Sequence, residues 1–214
     1  MMRNGLLALG LAVLAGAWLG PLPDLARDSF AAHMTMHIAV VAIAAPLVAL
    51  AVTGSAADPV RVLPRLIGPI PASMFELIVV WAWHVPMLHH AARHSSVVFV
   101  VEQASFVIAG VLLWIAAVGG ERQARRLRAG AGIAALLFTS MHMTLLGALF
   151  ALANRPLFHQ VPRVSVESAI ADQQMGGVIM LLVGGAAYLL GGLGLTAVAL
   201  HPTPGSIAEQ ESSG

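Results

Sequence analysis

"HMTMHIAVVAIAAPLVAL", residues 33–50, decides the fold. Two imidazoles and two thioethers in five residues run straight into thirteen apolar ones. With its flanks the apolar segment reaches from 31 to 53. That is enough to cross the roughly 30 Å hydrocarbon core of a bilayer at about 1.5 Å of helix rise per residue. His33 and His37, one helical turn apart, share a face and can hold one ion. Met36 lies within that broad face and Met34 borders it.

The rest of the chain has the same character. Of 214 residues, 58% are hydrophobic and 10% charged, and the mean hydropathy is +0.86. So little polar material cannot clothe a soluble domain of this length. The expected fold class is all-α: a polytopic transmembrane helix bundle with six spans near 5–20, 31–53, 69–88, 97–118, 130–153 and 174–200. These form one transmembrane domain over 1–200, followed by a polar tail at 201–214 expected to be disordered and cytoplasmic. The first segment also reads as a secretory signal peptide, "MMRN" before an apolar stretch and "AGA". Its Ala8, Ala12 and Gly16, spaced i, i+4, i+8, favour a retained helix that packs closely on a neighbour.

All 11 basic residues are Arg. With the N-terminus inside, Arg3, Arg61, Arg65, Arg122, Arg125, Arg126 and Arg128 lie on the inner side. Arg27, Arg93, Arg155 and Arg163 then lie on the outer side. Seven against four places both termini in the cytoplasm by the positive-inside rule. In that topology eight of the nine histidines fall in the outer half or its loops, His201 being the exception. His33 and His37 open the second span, and His84 lies near the outer end of the third in "WAWHVPML". His89, His90, His94 and His159 are assigned to outer loops. His142, between Met141 and Met143, is near mid-membrane.

There are no cysteines, so disulfides, iron–sulfur clusters and thiolate sites are excluded. A soft-metal site must use His and Met, a donor set that suits copper, and Cu(I) in particular, better than zinc, magnesium or calcium. The expected metal ligands are His33, Met34, Met36, His37, His84, His142 and Met143, with Glu102, Asp172 and Gln173 as supporting residues. Glu102 can ligate, orient a histidine or relay protons. Glu76, on the inner half, reads as a buried hydrogen-bonding carboxyl. Asp172 in "ADQQMGG" reads as a cap at the start of the sixth helix. Gly176, Gly177, Gly184, Gly185, Gly191, Gly192 and Gly194 read as sites of close helix approach. Each metal candidate also has a plainer explanation: interfacial histidines, methionine as core filler, and an aromatic belt around His84. No phosphate-binding loop, HExxH motif or Ser–His–Asp order is present, so no enzyme is expected. Nothing basic enough for nucleic acid stands out.

In order along the chain, "HMTMH" with "APL", "WHVP", "VEQASFVIAGVLLW", "MHMTLLGALFALANRPLF" and "DQQMGGVIM" cover most of residues 30–182. This arrangement resembles the CtaG-type cytochrome c oxidase assembly factors, polytopic proteins of bacterial plasma membranes. The resemblance implies a role in maturing a terminal oxidase by helping copper reach it on the outer face. The implied partners are oxidase subunits or a periplasmic copper chaperone, with membrane lipid around the bundle and a second copy of the chain as a further candidate. It marks His33, Met34, His37, His84, His142, Asp172 and Gln173. The chain departs from the pattern at Met36, where many members have Gln, and at Gln103, where many have His. It also has six spans where longer relatives have seven. Two other functions fit the residues: a haem-binding membrane cytochrome with axial histidines, and a metal transporter using Glu76 and Glu102.

Overall fold

The computed structural model describes residues 2–64, 67–120, 122–158 and 165–200, with backbone only for 122–127. His159, Arg65, Arg163 and the tail 201–214 with His201 lie outside the described residues. Every regular element described is helical: α1 Met2–Leu19, α2 Leu22–Asp28, α3 Phe30–Val52, α4 Pro59–Val62, α5 Pro69–Trp83, α6 Pro86–His94, α7 Ser96–Val118, α8 Arg122–Ala151 and α9 Val166–Leu200. Five helices are long and apolar enough to cross a membrane, and α5 with α6 makes a sixth candidate. The all-helical membrane bundle is therefore as expected.

Three details differ from the expectation. The third span does not run to residue 88. It stops at Trp83, and α6 leaves it at 72°. Pro86 has no N–H to continue the ladder and holds Val85 in an extended conformation, φ −69° and ψ 130°, as a residue before proline prefers. The sixth helix begins at Val166 rather than 174, capped by the Ser165 hydroxyl, so Asp172 sits well inside it. In α1 the buried small residues are Gly10 and Ala17, while Ala8, Ala12 and Gly16 are exposed. A Cβ on Gly10 would lie 3.0 Å from Val48 of α3.

The helix that carries "HMTMH" is wound one residue wide over Ala39–Ala44. Its cause is legible in "AAPL". The Ala45 amide bonds the Val40 carbonyl, five residues back, and the next donor in that register would be Pro46, which has none. The Val41 carbonyl is left without a backbone donor and is met by the Trp114 indole instead. Trp114 Nε1 donates to it at 3.2 Å, and the Tyr188 hydroxyl stands 3.2 Å away while donating to Glu76 Oε1 at 2.5 Å. This explains Glu76: it is the buried hydrogen-bonded carboxyl expected, in the middle of the bundle. The α8 and α9 backbones touch at Gly147 and Gly177, where an added Cβ would lie under 3 Å from the opposite main chain. Gly194, by contrast, faces open space.

Candidate metal centre

One end of the bundle gathers the start of α3, the end of α5, the short helices α2 and α6, the start of α7 and the first half of α9. Ser29 caps α3 by accepting from the Ala32 amide at 3.1 Å. Asp172 of α9 adds a second cap from outside, accepting from Ser29 Oγ at 2.7 Å, Phe30 N at 2.6 Å and Ala31 N at 3.3 Å. Helix α3 is thereby pinned in position and rotation just before His33.

From that anchored turn His33 and His37 project into the bundle, both buried. The His33 ring lies 4.7 Å from that of His89 and 6.3 Å from that of His84, and His37 is 5.4 Å from His84. His33 Nε2 is 3.7 Å from Glu102 Oε1. Nitrogens of His33 and His89 and an oxygen of Glu102 all lie within 4.8 Å of one another. Five buried atoms here have no hydrogen-bond partner: His33 Nε2, both nitrogens of His37, His89 Nδ1 and Glu102 Oε1. A buried polar atom without a partner costs about 1–3 kcal/mol, so the unmet atoms where His33 and Glu102 face each other, with His37 nearby, are hard to sustain unless something else satisfies them. The chemistry of the set, imidazole nitrogens with one carboxylate and one thioether, fits a transition-metal cation.

Neighbouring bonds fix the aim of several of these groups. His84 Nδ1 donates to the Val80 carbonyl at 2.6 Å, which leaves the lone pair on Nε2, 3.5 Å from Met34 Sδ. Nitrogen and sulfur there are both acceptors with no proton between them, a pair that a soft cation would bridge. The Trp18 indole donates to Gln103 Oε1 at 3.1 Å, and Gln103 Nε2 donates to Glu102 Oε2 at 3.1 Å, turning the other carboxylate oxygen toward His33. Arg93 Nη1 donates to His89 Nε2 at 3.3 Å and binds the Arg27 carbonyl through Nε at 2.6 Å. Arg93 thus sets the His89 proton on Nδ1 and competes with any cation for that ring. Phe30 and Phe158 stack at 4.4 Å over His89 and close the other side.

Residues 2–200 match the family described as the cytochrome c oxidase caa3 assembly factor family, Caa3_CtaG. The chain belongs to that family. No curated protein and no solved structure matches it. The family is described as one of assembly factors for cytochrome c oxidase.

Of the residues singled out in the sequence, the structure brings together His33, Met34, His37, His84 and Glu102. It does not bring in the others. Met36 and Met143 are fully buried, but among the described residues neither sulfur meets a ring nitrogen. His142 contacts Phe138 and none of the four clustered rings, although both its nitrogens are buried and unpartnered. Asp172 and Gln173 support the frame. Asp172 caps α3 rather than its own helix. Gln173 accepts from the Leu157 amide at 2.7 Å and so holds the loop that delivers Phe158.

His89 and Arg93 are neighbours of the candidate site that the sequence reading places in a loop, and Gln103, noted there as a departure from the family pattern, orients Glu102. Assigning "LHHAARHSS", residues 88–96, to a loop and Pro86 to the third span hides the i, i+4 relation of His89 to Arg93. Treated as a proline-started helix, "PMLHHAARH" puts His89 and Ala92 on the buried face.

Removing the Asp172 cap has a measurable consequence. Asp172→Ala strips three acceptor contacts from the start of α3 and is expected to cost about 1–3 kcal/mol of stability. A lower thermal midpoint for D172A, partly restored in D172N, would be read by heating detergent-purified protein. Identical midpoints would mean the Ser29 cap suffices.

Proposed function

We propose that the protein binds one Cu(I) ion at His33, His37, His84, Met34 and Glu102, with His89 joining when Arg93 releases it. It holds that ion at the outer face of the bacterial inner membrane for delivery into a maturing cytochrome c oxidase. The observation that carries this reading is the meeting of His33, His89 and Glu102, with ligand atoms within 4.8 Å of one another, beside a His84–Met34 pair. Copper suits imidazole and thioether together. The single carboxylate keeps the loaded site near neutrality, which matters where water is scarce. The role is to hold and hand over a metal, without catalysis, to oxidase subunits or a periplasmic copper chaperone.

Two features favour a holding site over the rival functions. Below His37 the bundle is filled by Phe106, Trp114 and Tyr188, all buried, which disfavours a path for transport. The cavity reaching His33 measures about 60 Å3, against roughly 300 Å3 or more for pockets that hold organic ligands, which disfavours haem. Titrating the purified protein with Cu(I) against a chromogenic chelator tests the reading. One tightly held equivalent and no Soret band are expected. Protein that retains no Cu(I), or that carries haem as isolated, overturns it.

A further inference from the structure

The cavity at the candidate metal centre has a mouth, and an exposed histidine, His94, lines it. Helix α6 starts at Pro86 and carries His90 and His94 one turn apart, both exposed, with ring centroids 4.1 Å from each other. His94, Ser96 and Arg27 line the outer part of the cavity, and His33 and Glu102 line its inner part. Arg93 lines it too. One short cavity therefore joins His94, one member of the exposed imidazole pair, to His33 and Glu102 of the buried set.

We propose that His90 and His94 form a second, solvent-facing Cu(I) site, the loading site from which the ion passes along this cavity to the buried centre. The proposal rests on the copper reading of the buried centre. Two imidazoles on adjacent turns can chelate one ion, and imidazole is a good donor for copper. A two-nitrogen site on an exposed helix face offers few ligands and no enclosure, so it exchanges its ion readily. The buried centre offers a larger donor set, with a thioether and a carboxylate. Transfer therefore runs downhill, from the weak site outside to the strong one within. Arg93 stands between the two, one turn along α6 from His89 and His90. An ion moving inward displaces its guanidinium from His89 and frees that ring as a ligand.

The test follows Cu(I) transfer from a weak, coloured Cu(I)–chelator complex to the full-length protein in detergent, by stopped flow. In His90→Ala/His94→Ala the initial loading rate is expected to fall about tenfold, within the spread of association rates seen among variants of one binding surface. The final stoichiometry should remain that of the wild type. A second variant, His33→Ala/His37→Ala, should lose the tight copper and keep a weak, rapidly exchanging equivalent, which disappears when all four histidines are replaced. An unchanged loading rate in H90A/H94A with full final occupancy overturns the loading site and leaves the buried centre standing. A wild type that takes up no Cu(I) overturns the buried centre, and the loading site with it.

Discussion

His33→Ala/His37→Ala is expected to abolish the proposed tight Cu(I) binding while the helical bundle remains intact. Replacing even an outer partner of a metal ligand weakens a site by about 10–100-fold, so removing two ligands should cost at least a hundredfold in affinity. The bundle should survive because neither His37 nitrogen, nor His33 Nε2, has a partner whose bond would be broken. In the metal-free protein these rings are polar groups buried at a cost. Trading them for methyl groups loses packing against Phe106, 4.1 Å from the His37 ring, and relieves unmet desolvation. The two effects oppose each other, and the metal-free thermal midpoint should move little. Metal analysis of both proteins after gel filtration settles the assignment. Equal copper in wild type and double variant would remove these residues from the site.

Gly177→Ala has the largest expected effect on folding. A Cβ at Gly177 would stand 2.4 Å from Ala151 N and 2.6 Å from Gly147 O. Both are main-chain atoms, so no rotamer change relieves the clash and the helices α8 and α9 must separate. Overpacking typically costs about 1–3 kcal/mol, and more where backbone must shift. Here the upper end or beyond is expected, since helix association in lipid depends on close approach at small residues. The same change at Gly194, which faces open space, should be silent. Comparing the monodisperse yield of G177A and G194A checks this, and equal yields would contradict the close α8–α9 contact.

Most of the fold was legible because its determinants are local. Apolar run length gives the spans, and Ser29, Asp58 and Ser95 cap helices by bonds within three residues. The π turn follows from Pro46 and the α5–α6 break from Pro86, yet neither feature was anticipated. In a uniformly apolar run, composition does not reveal a change of winding. The site was legible where its residues share a turn, as His33 and His37 do. It was not where residues meet across elements. His89 depends on how far α6 swings back over α3, and Asp172 on which neighbouring helix start lies beside it. The same limit explains His142 and Met143. Their depth and chemistry fit a copper site, but rotation of α8 about its axis, which spacing does not give, decides which helices they face.

The wide turn at Ala39–Ala44 sets the phase of helix α3. Each residue of an α-helix advances the chain by about 100°, so one extra residue within a turn offsets everything above it by that amount relative to everything below. His33 and His37 lie above, and Ala45 and Ala49, packed in the core, lie below. Deleting a single residue between 39 and 44 would leave every ligand in the chain and still swing the histidine pair away from Glu102. The candidate metal centre is therefore encoded partly as a count of residues, held by a proline and by the Trp114 indole that answers the missing backbone hydrogen bond.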